Sequence, residues 1–296
     1  MKKLQFYILD VFTSEKYTGN QLAVVTDARM LSADVMQNIA REMNFSETAF
    51  ITSGKMTANG YNVRIFTPQQ EVPFAGHPTL GTAFIIQNEI IQKPIKKVKL
   101  NLKAGQIPVW FKYNNRDIPT ILWMKQNEPE FMDVINPDRV APVLNIDKED
   151  IDERFPVQEV STGLPFIIVP IKNLSAVKKA KVNLSKYYEL IEQAKAKAVF
   201  IFCPETYDKE NDFNARMFAD HYGVAEDPAT GSANGCMAGY LVKHRYAGAE
   251  KINARVEQGY EMGRPSLLYL RAEEEDGSID VHVGGCVVLV AKGELV

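Results

Sequence analysis

Short runs of apolar residues recur along the chain, and most of them have the length and residue preference of β-strands. Turn pairs such as Asn59-Gly60 and Ala104-Gly105 separate many of them. Because such turns outnumber long crossovers, the pattern predicts mainly antiparallel pairing. The predicted strands include residues 4–12, 22–25, 61–66, 107–113, 198–203, 213–218 and 252–258.

Several segments are predicted to be helical, and three of them bear on the fold of the site. Residues 33–43 form an amphipathic pattern, and Ser32 stands at its N-cap position. The segments that follow Gly76 and Gly231 are apolar nearly all round. A helix without a polar face is buried, so we expect a sheet to wrap around each of these two helices.

One phrase occurs twice, at the start of each of these apolar helices. The copies are HPTLGTA at 77–83 and DPATGSA at 227–233, and an Arg-x-Phe stands upstream of each, at 64–66 and 216–218. The repeat indicates a duplication. It predicts an α+β fold of two pseudo-symmetric lobes, each a mostly antiparallel or mixed sheet around a central buried helix. We place the lobes at residues 1–116 and 117–285, with a terminal strand at 286–296 completing the first.

The phrase has the chemistry of an anion site. The first turn of a helix leaves backbone N–H groups unpaired at the positive end of its dipole. Gly81 and Gly231 would let a ligand approach the backbone, and Thr82 and Ser232 add hydroxyl donors. The alternative is two ordinary helix starts that bind nothing. Two matched copies favour the site.

Composition and charge exclude several classes of function. The net charge of −3 and the lack of a long Lys/Arg run give no support to nucleic-acid or membrane-surface binding. No apolar run approaches the roughly 20 residues that span a bilayer. Three scattered cysteines and four histidines form no metal-ligand spacing, and no nucleotide-binding loop is present. We therefore expect a cytoplasmic protein without a metal site.

Glu47 is a single acid between apolar neighbours in a predicted strand. Alternation places it with Phe45 and Ala49 on one face. If that face is buried, desolvation raises the pKa of Glu47 toward the range of a general acid/base. A solvent-facing glutamate on a half-buried strand is the alternative, and the local sequence favours it because unpaired glutamate is rarely buried.

Taken together, the motifs resemble those of the phenazine-biosynthesis PhzF-like family. The resemblance covers essentially the whole chain, and the order of its motifs is specific. They are DVF at 10–12, GN at 19–20, FSET at 45–48, RIFTP at 64–68, FAGHP at 74–78, DPATGSA at 227–233, QG at 258–259 and GRPS at 263–266. One departure is Gln21, where the family usually has proline after Gly-Asn.

The resemblance implies a diaminopimelate epimerase-like fold with a site in the cleft between the lobes, no cofactor, and often a homodimer. Glu47 corresponds to the proton-shuttling glutamate, and His77 and Asp227 to residues that contact the substrate and assist proton transfer. Asn20, Gly76, Gly231 and Ser232 then count as substrate-binding. The implied function is a cofactor-independent isomerase that moves a proton on a small carboxylate substrate, with loops 126–155 and 203–213 shaping the pocket.

Two other functions remain open at this level. A two-base epimerase could use His77 and Asp227 as its acid and base. A small-ligand or protein-binding module could keep the lobes and lack the chemistry. A racemase with two thiol bases is disfavoured, because none of the three cysteines begins either copy of the phrase.

Overall fold

The computed structural model describes residues 3–53, 60–246, 248 and 250–296. The chain forms two compact units, the first running to Lys125 and including Gly284–Val296, and the second comprising Gln126–Val283. The predicted turn at Asn59-Gly60 involves Asn59, which lies outside the described residues. No helix in the described part is long and apolar enough to cross a membrane.

Within the described residues, eight strands and two α-helices come first. Residues 86–91 continue the second helix as a π-helical segment. The elements are β1 (Leu4–Val11), β2 (Asn20–Val25), α1 (Ala33–Met43), β3 (Glu47–Ile51), β4 (Tyr61–Phe66), β5 (Glu71–Val72), α2 (Gly76–Ile85), β6 (Lys97–Leu102), β7 (Gly105–Tyr113) and β8 (Pro119–Lys125).

Ten strands and four helices follow. They are β9 (Glu130–Ile135), α3 (Pro137–Leu144), β10 (Val157–Ser161), β11 (Pro165–Pro170), α4 (Leu174–Lys179), α5 (Leu184–Glu192), β12 (Ala198–Cys203), β13 (Phe213–Ala219), β14 (Val224–Asp227), α6 (Gly231–Lys243), β15 (Lys251–Gln258), β16 (Ser266–Glu275), β17 (Ser278–Gly285) and β18 (Val287–Leu295).

In the first unit a mixed sheet surrounds α2. The strand order is β18-β1-β2-β3-β4-β6-β7-β8, parallel at β2–β3 and β4–β6 and antiparallel elsewhere. Helix α2 packs against β1, β2, β3, β6, β7, β8 and β18. Nearly all of its residues are buried, as the absence of a polar face predicts.

The second unit repeats this plan around α6. Its strand order is β9-β10-β11-β12-β13-β15-β16, parallel at β11–β12 and β13–β15. The short strands β5 and β14 attach to equivalent positions, on β4 and β13. The shared succession of pairings confirms the predicted α+β fold of two similar lobes, each a mixed sheet around a central helix.

The predicted boundary at residue 116 falls in the turn between β7 and β8. The Asn114 side chain accepts hydrogen bonds from the backbone N–H groups of Arg116 and Ile118, at 2.9 and 3.0 Å. Such Asx turns use the same polar residues as linkers do, which explains why the segment resembles a boundary. The first unit instead ends at Lys125, where β8 ends.

Helix α1 begins and ends where the sequence predicts. The Ser32 hydroxyl accepts a hydrogen bond from the Val35 N–H at 3.3 Å, and Asn44 ends the helix in the left-handed conformation. Met36 and Ala40 point inward and pack with Phe50 and Phe66 against the outside of the sheet. Each face of this sheet therefore buries apolar residues, with α2 on one side and α1 on part of the other.

Candidate active site

Two of the predicted catalytic residues meet in the first unit. Glu47 is the first residue of β3, and His77 is the second residue of α2. The His77 Nε2 lies 3.4 Å from the Glu47 Oε2, and the two side chains are 5% and 19% exposed. The helix start and the strand start thus bring an imidazole and a carboxyl group together at a largely buried position.

The imidazole of His77 is neutral at physiological pH. Burial lowers the pKa of His77 to about 3, because the imidazolium form would lose its hydration. A hydrogen bond with the backbone of Gln21 works in the opposite direction and is the weaker effect. At neutral pH one ring nitrogen therefore carries a hydrogen and the other a lone pair.

The β1–β2 loop fixes Asn20 and Gln21 beside this pair. The Tyr17 N–H donates to the Asp10 Oδ2 at 2.6 Å. Gly19 has a φ of 67°, and a Cβ at this position would lie 2.5 Å from the Val11 carbonyl oxygen, so only glycine fits here. Asn20 then begins β2 and is 1% exposed. The DVF and GN motifs thus act together in one loop.

The start of α2 fits the predicted anion site in part. Gly76 is buried, and Ala75 at the N-cap offers no side-chain cap among the described contacts. Gly81 has a different purpose from the expected approach of a ligand. A Cβ at Gly81 would lie 2.4 Å from Leu22 Cδ2, so this glycine allows α2 to pack closely on β2.

In the second unit the predicted residue Asp227 is held by a network that the sequence did not reveal. Asp227 ends β14 and is 7% exposed. The Thr230 hydroxyl donates to its Oδ2 at 2.5 Å. The fully buried Gln258 donates from Nε2 to the Asp227 carbonyl oxygen at 2.8 Å, and its Oε1 accepts from the Thr230 N–H at 3.2 Å.

Gln258 and Gly259 therefore act as a clamp on the second copy of the phrase. Asn234 of α6 also donates to the Gln258 Oε1, at 2.9 Å. Gly259 has a φ of 80°, and a Cβ there would lie 2.6 Å from the Pro228 carbonyl oxygen. The QG motif at 258–259 was the sequence feature that could have indicated this contact. Nothing in the local sequence, however, says which loop the Gln258 amide binds.

Gly231 and Ser232 form the first turn of α6, as predicted for the second copy of the phrase. Gly231 is buried and Ser232 is half-buried. Thr230, at the N-cap, turns its hydroxyl toward Asp227 and makes no cap bond among the described residues. The orphan N–H groups of this turn thus have no side-chain acceptor in the described part of the chain.

The Arg-x-Phe motif has the same role in both units. Each arginine forms a two-pronged ion pair with a glutamate on the short strand that leads into the phrase, at 2.8 and 2.9 Å, and lies over the phenylalanine two positions later. The ion pair therefore anchors the strand before each helix start. The sets are Arg64, Glu71 and Phe66 in the first unit and Arg216, Glu226 and Phe218 in the second.

The cysteines have the properties of structural thiols. Burial raises the pKa of Cys203 and of Cys236 to about 12, and it also raises that of Cys286. Each is therefore a neutral thiol at physiological pH and a poor base. Among the described residues no group of three or more His, Cys, Asp or Glu side chains could hold a metal ion.

Comparison with known proteins places the chain in a family of isomerases. The profile of the family described as "Phenazine biosynthesis-like protein" matches residues 9–293. An uncharacterized isomerase of Clostridium acetobutylicum is 35% identical, over 100% of this chain and 99% of that protein. The trans-2,3-dihydro-3-hydroxyanthranilate isomerase of Pseudomonas chlororaphis is 32% identical, over 98% and 99%.

A solved structure agrees over the full length. The crystal structure of the Bacillus anthracis phenazine biosynthesis protein of the PhzF family superposes with a TM-score of 0.90 at 28% identity, covering 100% of both chains. The chain is therefore a member of the phenazine biosynthesis-like protein family and a PhzF-like isomerase.

Proposed function

We propose that this isomerase moves a proton between two carbons of a small carboxylate substrate, with Glu47 as the general acid/base. The contact between Glu47 and His77 at the start of α2 carries the proposal. A partly buried carboxyl group beside a neutral imidazole can take up a proton and return it, and the 19% exposure of the Glu47 side chain lets that proton exchange with solvent between the two steps. Glu47 would remove a C–H proton next to a conjugated acid and return it to another carbon on the same face.

The tautomer of His77 supports this role. The hydrogen bond to Gln21 favours the charged imidazole, so the ring N–H donates to a backbone carbonyl. Nε2 faces Glu47 and has no hydrogen-bond partner among the described residues, so Nδ1 makes that bond. Nε2 is then an acceptor that faces the Glu47 Oε2 at 3.4 Å.

Carboxylate binding is assigned to the helix starts. The first turns of α2 and α6 offer backbone N–H groups at the positive ends of buried helices. Gly76, Gly231 and Ser232 supply these positions, and Asn20 and Asp227 are proposed to contact the remainder of the substrate.

The substrate class follows from the reaction and from the relatives. A Pseudomonas chlororaphis relative is named for trans-2,3-dihydro-3-hydroxyanthranilate, an unsaturated cyclic acid that bears amino and hydroxyl groups. We propose a substrate of this general kind, a small unsaturated carboxylate with a further polar group.

Deuterium exchange tests the proposed role of Glu47. The protein is incubated in deuterated water with small unsaturated and amino carboxylates, and uptake at carbon is followed by NMR. Glu47→Gln should abolish uptake, whereas the control Glu42→Gln, on the exposed face of α1, should keep it. Uptake that persists unchanged in a folded Glu47→Gln variant would refute the assignment.

The rival reaction is a two-base epimerisation by His77 and Asp227. A histidine whose pKa lies at about 3 binds a proton poorly at neutral pH, which disfavours it as one of the two bases. Chiral analysis of the recovered substrate separates the reactions. Inversion at one carbon supports the epimerase, and a shifted double bond supports the isomerase.

Assembly and compartment are proposed from the family resemblance and from the cysteines. We propose a homodimer from the family resemblance, to be tested by the mass of the protein in light scattering. The three free cysteines suit a reducing compartment such as the cytoplasm. A monomer at micromolar concentration would contradict the homodimer. Secretion of the protein with oxidised cysteines would contradict the cytoplasmic compartment.

A further inference from the structure

Gln126 is a buried glutamine whose side-chain amide is not used in hydrogen bonding by the described residues. It is 5% exposed and is the first residue of the second unit. Its backbone N–H donates to the Val281 carbonyl oxygen at 2.8 Å. Neither the Nε2 nor the Oε1 of its side chain has a hydrogen-bond partner within the described part of the chain.

The position of this amide is set by glycines on α6. A Cβ at Gly235 would lie 2.9 Å from Gln126 Cγ and 3.2 Å from its Oε1. A Cβ at Gly239 would lie 2.5 Å from Pro129 Cγ. Residues 126–129 therefore lie directly on the helix, along a face that recurs every four residues and includes Gly231.

This face leads to the proposed carboxylate position. Gly231 begins α6, one turn before Gly235, so the Gln126 amide lies about 6 Å along the helix from that start. Thr162 lies against the neighbouring face of the helix, because its hydroxyl donates to the Ser232 carbonyl oxygen at 3.5 Å. A small ligand held by its carboxylate at Gly231 and Ser232 would reach the Gln126 amide by lying along the glycine face.

A buried amide without partners is unfavourable. Leaving a buried donor or acceptor unsatisfied costs about 1–3 kcal/mol, and a native fold keeps few such groups without a reason. The same unit contains a glutamine that shows the usual arrangement. Gln158 is 9% exposed, donates to the Met132 carbonyl oxygen at 3.0 Å and pairs with His244 Nε2 at 2.7 Å.

We infer that Gln126 is a specificity-determining residue that binds a second polar group of the substrate. Its amide offers one acceptor and two donors, which suits an amino or hydroxyl group near the carboxylate. The inference rests on the proposed function, since it needs the carboxylate at the start of α6. It adds a reason for the enzyme to prefer amino or hydroxy acids over a simple acid of the same shape.

Binding of three stable probes tests this inference. Benzoate has the carboxylate alone, anthranilate adds an amino group, and 3-hydroxyanthranilate adds an amino and a hydroxyl group. The wild-type protein should bind anthranilate and 3-hydroxyanthranilate more tightly than benzoate by about fivefold or more, as expected for one additional buried hydrogen bond. Gln126→Leu should bind benzoate as before and lose that preference, as measured by calorimetry.

Stability gives a second readout, with Gln158→Leu as the matched control. Gln126→Leu should leave the thermal midpoint unchanged or raise it, because it removes an unsatisfied amide. Gln158→Leu should lower the midpoint and keep the probe preference. If Gln126→Leu lowers the midpoint as Gln158→Leu does, a buried water satisfies the amide, and the inference is overturned.

The remaining outcomes are distinguishable. If Gln126→Leu retains the full preference for anthranilate, the inference fails while the proposed carboxylate site stands. If neither protein binds benzoate or any other probe, the carboxylate site itself fails, and the inference fails with it. Loss of the preference with benzoate binding intact and stability maintained supports both.

Discussion

The clamp on the second copy of the phrase gives the sharpest test of how the fold holds Asp227. The Gln258 side chain makes four hydrogen bonds. It donates to the Asp227 carbonyl oxygen at 2.8 Å and to Thr230 Oγ1 at 3.1 Å, and it accepts from the Thr230 N–H and from Asn234 Nδ2. Gln258→Leu keeps nearly the same volume and removes all four.

The expected loss follows from what each partner retains. The Thr230 hydroxyl still reaches Asp227 Oδ2, and Asn234 Nδ2 still reaches the Thr230 carbonyl oxygen. The Thr230 N–H and the Asp227 carbonyl oxygen lose the amide that binds them. At about 1–3 kcal/mol for each buried group affected, the free energy of unfolding should fall by about 3 kcal/mol.

The assay is thermal unfolding followed by circular dichroism, together with the deuterium-exchange rate. A loss of about 3 kcal/mol corresponds to a midpoint lower by roughly 6–12 °C for a unit of this size. The exchange rate should fall too, because Asp227 would no longer be fixed. Gln193→Leu, at an exposed position of the same unit, should stay within about 0.5 kcal/mol of wild type. A Gln258→Leu midpoint equal to that of this control would refute the reasoning.

Three further predictions follow from burial and charge. Burial lowers the pKa of His77 to about 3, so below pH 6.5 the unfolded chain binds a proton that the folded chain does not bind. The free energy of unfolding therefore decreases as the pH is lowered. Between pH 7 and 5, wild type and the exposed control His221→Gln should each lose about 2 kcal/mol more than His77→Gln in urea unfolding; an equal loss in all three would contradict this. Glu226→Gln should lower the free energy of unfolding by about 2–3 kcal/mol and Glu71→Gln by about 1 kcal/mol. The reason is that the arginine left without its partner is 8% exposed in the first case and 33% exposed in the second. A reversed order in denaturant titration would show that burial of the arginine does not decide the loss. The buried Cys203 and Cys236 should react with a thiol reagent at about pH 7.5 mainly after unfolding, and rapid labelling of either residue in the native protein would support a thiol base.

The sequence by itself determined the kinds of element and the duplication. Helix α1 follows from an apolar stripe and a Ser32 cap, both of which are local properties. The apolar residues on all sides of α2 and α6 predicted that each helix lies at the centre of a lobe, because a helix without a polar face has to be covered on every side. Matched phrases then predicted two lobes of one plan. The motif order identified the family.

Tertiary structure decided which side chains meet. Alternation along β3 says which neighbours share a face with Glu47, but the start of α2 places His77 beside it. The Gln258 clamp joins residues 31 positions apart, and the amide of Gln126 is notable only once its neighbours are known. The turn at 114–118 resembled a linker because hairpin turns and linkers use the same polar residues. Periodicity is a property of one segment, whereas a site is built by the packing of several, and that packing depends on strand order and burial throughout each unit.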